Sequence, residues 1–244
     1  MNPFRLASRL LPRQSARPSY GFLHIGKTGG TSVRYAIEQT QKEGYATPVI
    51  FGHDARMANI VKENPSIRLS FTLRDPIERM VSSFNSRMRQ SRPSYTAVWK
   101  PEEAIAYLWF PTVIDFFRAR LSDQEREKSA GIFAEQAMGH VRRGYEYHFH
   151  SREFLEKKLK NIYFAGRLES LSADFHRYFE PCGVPEAVVG KHAGVRHSGL
   201  DSTDLSLDEI DDEMRARLKD LYKKEYEIYD FLIDNIDTIN KYDI

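Results

Sequence analysis

The stretch FLHIGKTGGTS, residues 22 to 32, ends an apolar run with a glycine, a lysine and a cluster of small and hydroxyl residues. These residue types suit an anion. Lys27 brings a full positive charge. Thr28, Thr31 and Ser32 bring hydroxyl donors, and Gly29 and Gly30 let a ligand approach bare backbone. A helix beginning here adds its first amides and its dipole, which favour a phosphate or a sulfate. A second constellation follows in FTLRDPIERMVSSF, residues 71 to 84. Arg74 offers a guanidinium fork matched to phosphate oxygens, and Ser82, two helical turns on, offers a hydroxyl. Pairing with Asp75 or Glu78 is the plainer use of that arginine. Two anion sites of this kind suit one ligand with two separated anionic groups.

The elements that must position these residues are legible from apolar runs and caps. Strands are expected at 20 to 25, 48 to 51, 67 to 73 and 161 to 166, each a short apolar run. Helices are expected at 32 to 41, 54 to 61, 102 to 120 with a break at Pro111, 123 to 143 and 151 to 159, and from 167 to about 179. Asp75 as N-cap, Pro76 at the first position and Glu78 closing a capping box start a helix that runs to about residue 90. Residues 181 to 204 read as a long functional loop, and Ser206 with Glu209 as the start of a final helix ending near 240. Strands alternating with helices define an α/β fold with a mostly parallel central sheet flanked by helices. Ligands of such sheets bind beyond the carboxyl ends of the strands, where both anion sites fall.

The run from Gly21 to Thr28 formally satisfies G-x-x-x-x-G-K-[ST], the nucleoside-triphosphate P-loop. In that motif the four variable residues wrap the phosphates; here they are Phe22, Leu23, His24 and Ile25, the strand itself. A kinase or NTPase of the P-loop kind is therefore the second hypothesis, and it predicts magnesium dependence. A non-catalytic nucleotide- or glycan-binding protein of the same fold is the third; it needs Arg74 and Ser82 but neither Lys27 nor a base.

HIGKTGGTS resembles the 5′-phosphosulfate loop, and LRDPIERMVSSF the 3′-phosphate segment, of sulfotransferases that use 3′-phosphoadenosine 5′-phosphosulfate (PAPS). The similarity is greatest to the branch that includes the heparan sulfate 2-O-sulfotransferases and their bacterial relatives. IYFAGRLESL, 162 to 171, is similar to a later strand of that family, and YKKEYEIYDFL, 222 to 232, to its last helix. Gly26 stands where the family commonly has proline, and residues 91 to 160 match nothing that can be anchored. The resemblance implies a P-loop-like sulfotransferase fold and transfer of a sulfuryl group to an acceptor hydroxyl, with a carbohydrate as the first expected acceptor. It implies that Lys27, Thr28, Gly29, Gly30, Thr31 and Ser32 hold the phosphosulfate, with Lys27 also stabilising the leaving group. Arg74 and Ser82 would hold the 3′-phosphate, with 3′,5′-ADP as product and no metal. His53, in VIFGHDARM, is expected to be the base: an imidazole suits proton abstraction at neutral pH, and the Gly-His step is similar to the family's. A surface or helix-start histidine is the plainer alternative. Arg196, in HAGVRHS, is expected on a loop that closes over the nucleotide.

Composition bounds the rest. The chain has 244 residues with a formal net charge of +2, which fits one α/β domain over 20 to 244 and speaks against a general nucleic-acid binder. Residues 1 to 19 are basic, lack the apolar core of a signal peptide, and read as a flexible or arm-like segment. No transmembrane segment is expected: the most apolar stretch, 104 to 117, is interrupted by Pro111 and Asp115. Cys182 is the only cysteine, which with the expected donor places the protein in the cytoplasm. His24 reads as a core histidine. His148 and His150 in RRGYEYHFHSR, 142 to 152, have no partner set that would make a metal site. That segment reads equally as an acceptor-site wall or a packed helix end. The arginine-rich stretch 87 to 100 reads as a solvated helix end.

Overall fold

The computed structural model of the chain describes residues 20–90, 98–193 and 207–241. Four strands, β1 Tyr20–Leu23, β2 Val49–Phe51, β3 Arg68–Leu73 and β4 Ile162–Arg167, form one sheet in the order β2-β1-β3-β4. Every pairing is parallel; Gly21 faces Val49 on one side and Leu69 on the other, and Leu73 faces Arg167. The chain leaves β1 for β2 on one flank and returns to β3 on the other, so the strand order reverses at β1. A crevice opens at such a reversal, outside the carboxyl ends.

Alternation along the strands feeds two cores. Leu69, Phe71 and Leu73 of β3 pack with Leu23, Tyr145, Phe149 and Leu232 on one face. Phe22 and Phe164 pack with Val33, Ile37, Tyr178 and Phe179 on the other. On that second face the intervening polar residues of β3 are satisfied: Tyr163 Oη donates to Ser70 Oγ at 2.8 Å, and Thr72 shares a 2.8 Å bond with Tyr178 Oη. A third core, around Phe84, Tyr107, Phe116, Phe117 and Met138, lies among helices and the turns that join them.

Helix α1 is Gly30–Lys42 and α2 is Met57–Glu63, three residues later than expected because Arg56 still has an extended backbone. In α3, Pro76–Met88, the Asp75 carboxylate accepts from the amides of Ile77 and Glu78 as the sequence suggests. Among the described bonds Glu78 does not close a capping box; it takes Arg74 instead. Pro111 separates α4, Pro101–Trp109, from α5, Val113–Leu121. The helix expected over 123 to 143 is two, α6 Glu125–Ala137 and α7 Gly139–Arg142, with a break at Met138. A further helix, α8 Tyr145–Phe149, precedes α9 Arg152–Lys158.

After β4 the expected helix shrinks to α10, Leu171–Asp174, followed by 3-10 turns through Cys182. The segment read as loop from 181 carries α11, Glu186–His192, whose Val188 and Val189 are buried beside α1. The last helical region starts at Asp211, whose carboxylate caps Met214, beyond the expected Glu209. It comprises α12 Asp212–Leu221, α13 Lys223–Asp234 and α14 Ile236–Ile239. Ser206, Arg196 and residues 1 to 19 lie outside the described residues. Among the described residues no helix is long and apolar enough to cross a membrane.

Candidate active site

The loop after β1 is held in an unusual shape by its own residues. Lys27 has φ 69 and Gly29 φ 87, both left-handed. Glycine takes that conformation freely, whereas lysine does so at a cost of about 1–2 kcal/mol. The Thr28 hydroxyl turns inward and donates to the Ile25 carbonyl at 3.0 Å, so Thr28 offers a ligand its amide rather than its side chain. Ser32 is buried in the first turn of α1, and Thr31 is exposed. No side chain caps α1; the Ser32 amide donates to the Gly29 carbonyl at 3.1 Å, and the amides before it precede any intrahelical acceptor. Two glycines are fixed by close packing. A side chain at Gly30 would run into the His24 ring, and one at Gly29 would come within 2.7 Å of Leu168. The segment after β4 therefore supports the loop from below.

Gly21, first glycine of the formal triphosphate motif, is inside β1 with the Phe51 ring lying 2.5 Å from its Cβ position. Phe22 and Leu23 belong to the strand, and the His24 amide prolongs the ladder by donating to Phe51 O at 2.8 Å. The variable residues of that motif thus wrap nothing.

His53 stands two residues past β2. Its Nδ1 lies 2.9 Å from the His24 carbonyl oxygen. A carbonyl only accepts, so Nδ1 carries the proton and Nε2 the lone pair. The ring stacks tilted on His24 at 4.2 Å and meets His140 edge-on at 5.1 Å. Burial, then the charges of Arg143 and Arg34, hold the His53 pKa below the ordinary 6.5, against the raising effects of the His24 bond and Asp54. Burial and neighbouring His53 lower His24 to about 3 and His140 to about 4. At neutral pH the three rings are uncharged.

Arg74 follows β3 directly. Its amide donates to Tyr145 Oη at 2.9 Å and its carbonyl accepts from the same hydroxyl at 2.6 Å, so a fully buried phenol braces this strand end. Its Nε donates to Glu78 at 3.3 Å. Ser82, four residues beyond Glu78 on the same helical face, is half-buried, while Ser83 turns inward to the Arg79 carbonyl. Tyr145 is itself set by Glu225 of α13, whose carboxylate accepts from the Tyr145 and Glu146 amides at 2.6 and 3.0 Å. Tyr226 Oη donates to Asp75 at 2.9 Å. The last helices thus fix the second constellation from behind.

Because β2, β1 and β3 are neighbours and parallel, His53, Lys27 and Arg74 leave one edge of the sheet in that order. Three further residues that the sequence did not single out stand around them. His140, on α7, has Cδ2 3.4 Å from the Cβ position of Gly26. Arg143 pairs with Asp54 at 2.5 Å, tying down the loop that carries His53. Arg79, only 1% exposed, donates to the carbonyls of His140, Val141 and Arg143 and holds that segment against α3. Nothing in the local pattern of GHVRRG marks these residues, since their partners lie far away in sequence. His148 and His150 part company. His148 is buried, its Nδ1 donating to the Ala55 carbonyl at 2.8 Å, and His150 is exposed with φ 69. Among the described residues no group of three or more His, Cys, Asp or Glu is placed to hold a metal ion.

A parallel α/β sheet with a glycine-bent, lysine-bearing loop at its strand reversal defines a P-loop-like transferase architecture. The profile of the sulfotransferase family matches residues 21–232, most of the chain, and the protein belongs to that family. Comparison with curated proteins and with solved structures gave no significant match.

Proposed function

We propose that this protein moves a sulfuryl group from PAPS to an acceptor hydroxyl, with His53 as the base. One observation carries the reading: His53, its Nδ1–H held by the His24 carbonyl so that Nε2 keeps the lone pair, stands at the same sheet edge as the Lys27 loop. Family membership supports sulfuryl transfer in general, and the bare loop backbone, fixed by Gly29 and Gly30, fits a phosphosulfate.

When bound, the donor supplies the sulfuryl group and an adenosine bisphosphate leaving group. The amides of residues 28 to 32 would hold its 5′ end. The Lys27 ammonium would stabilise charge developing on the leaving oxygen. Arg74 and Ser82 would hold the 3′-phosphate, the group that separates this donor from ATP. His53 Nε2 takes the proton of the acceptor hydroxyl. Arg196 is proposed to close over the nucleotide, a carbohydrate is the proposed acceptor, and the reaction is placed in the cytoplasm within one domain over 20 to 244.

Calorimetric titration with 3′,5′-ADP against ATP–Mg tests the donor. Tight binding of 3′,5′-ADP without magnesium is expected; preference for ATP–Mg overturns the reading. Binding of 3′,5′-ADP with no transfer from labelled PAPS to any acceptor or to water would leave a binding protein of the same fold.

A further inference from the structure

His140 has no part in the scheme above, yet the structure sets it beside His53 and the start of the Lys27 loop. Its ring meets His53 edge-on at 5.1 Å. Its Cδ2 is the atom nearest the Cβ position of Gly26, the residue before Lys27. Nδ1 is buried without a hydrogen-bond partner. A buried N–H lacking an acceptor is costly, which favours the tautomer with the proton on Nε2. The ring also lines a cleft of about 370 Å³ with Arg87, Lys100, Glu102, Gln136 and Arg143. Two of these cations are already matched: Arg87 Nε donates to Glu103 at 2.8 Å and Arg143 pairs with Asp54. Arg142 also lines the cleft, as does Glu103, so the lining mixes both signs of charge and is polar and hydrogen-bonding.

We propose that this cleft takes a polyhydroxylated acceptor and that His140 is a second catalytic imidazole, donating from Nε2–H to the acceptor oxygen that His53 deprotonates. The proposal rests on the sulfotransferase reading of the site. In the step, the acceptor O–H proton passes to His53 Nε2 and the acceptor oxygen forms the new O–S bond. The S–O bond to the donor phosphate breaks, and its electron pair leaves with 3′,5′-ADP. His140 stabilises the charge growing on the acceptor oxygen and fixes its line of attack. A neutral ring is required for this, and its burial keeps it neutral at pH 7.

The test is single-turnover cleavage of labelled PAPS in the presence of methyl β-D-glucopyranoside, counting inorganic sulfate plus sulfated glucoside, alongside calorimetry with 3′,5′-ADP. His140→Ala is expected to keep the 3′,5′-ADP affinity and to lose roughly 10²-fold in total cleavage. His140→Gln, which keeps an N–H donor, is expected to recover part of it. Cleavage by His140→Ala at the wild-type rate overturns the proposal. Parallel loss of nucleotide affinity and cleavage does so too, since that marks a packing role. A wild-type protein that binds 3′,5′-ADP but cleaves nothing removes the paired imidazoles while leaving the nucleotide site standing. One that fails to bind 3′,5′-ADP shows instead that the underlying reading is wrong.

Discussion

His53 Nδ1 lies 2.9 Å from the carbonyl oxygen of His24, and this one bond fixes which ring nitrogen a substrate can meet. The N–H facing that carbonyl is spent on the protein, so Nε2 keeps the lone pair that the proposed base needs. His53→Ala is expected to lower transfer by roughly 10²–10⁴-fold, the usual worth of a general base, with 3′,5′-ADP affinity unchanged. Steady-state transfer and calorimetry on the same variant check it. Near-normal turnover would remove His53 from the chemistry.

The pH profile follows from what surrounds that ring. Burial, Arg143 and Arg34 disfavour its charged form, Asp54 and the His24 bond favour it, and His24 and His140 are themselves neutral. The acidic limb of kcat/KM should therefore lie below the ordinary 6.5 of an imidazole. Arg143→Gln removes a lowering charge and leaves Asp54 without its partner. Both effects push the limb to higher pH. A limb that stays in place or moves down in this variant would show that a group other than His53 sets it.

Folding stability should carry the signature of the buried imidazoles. Folded His24 has its pKa lowered to about 3, and His140 and His148 to about 4, each mainly by burial. In the unfolded chain they titrate at about 6.5. Below that value the unfolded state binds more protons than the folded one, so stability is complete above pH 7 and falls as pH drops toward 4. Each such histidine contributes a slope of up to about 1.4 kcal/mol per pH unit in that window. Urea unfolding at pH 7.5, 6 and 5 reads the slope, and His148→Gln should reduce it. A flat profile between pH 6.5 and 4.5 would mean these rings are charged in the folded protein.

What was legible in the sequence was local. The apolar runs gave all four strands, Asp75 and Pro76 gave the start of α3, and Pro111 gave the break between α4 and α5, because each is written within a few consecutive residues. The sheet edge shared by Lys27, His53 and Arg74 followed from strand-end positions alone. What was not legible depends on distant partners. His140 is placed by Arg79, 61 residues away, and Tyr145 by Glu225, 80 residues away. Glu186–His192 looked like loop because Gly, Pro and His surround it; burial of Val188 and Val189 against α1 makes it a helix. Glu78 fits a capping box by spacing, but the Arg74 guanidinium one turn away claims its carboxylate.

The Tyr145 brace predicts that the proposed nucleotide site can be weakened from below. Arg74→Ala removes a guanidinium and is expected to cost 3′,5′-ADP binding about 1.5–3 kcal/mol, the range for a hydrogen bond to a charged group. Tyr145→Phe leaves the guanidinium but strips the Arg74 amide and carbonyl of their common partner. It is expected to lower stability by about 1–3 kcal/mol and to weaken 3′,5′-ADP binding as the strand end shifts. Denaturant unfolding and calorimetry together separate the two. Unaltered nucleotide affinity in Tyr145→Phe would show that Arg74 holds its place without the phenol.

In the proposed reaction Lys27 sets function against stability at a single residue. Its φ of 69 suits glycine, not a residue with a Cβ. Comparing Lys27→Gly with Lys27→Ala isolates that backbone term, because both variants lose the same ammonium and whatever the side chain touches. Lys27→Gly should be the more stable of the two by about 1 kcal/mol, the cost of a left-handed conformation less the extra chain entropy of glycine. Both should lose transfer by several orders of magnitude, since neither can stabilise charge on the leaving oxygen. Guanidinium unfolding measures the first effect and single-turnover cleavage of labelled PAPS the second. Equal stabilities would mean that the loop relaxes out of the left-handed region once the side chain is gone. Retained cleavage in either variant would take Lys27 out of the transfer step.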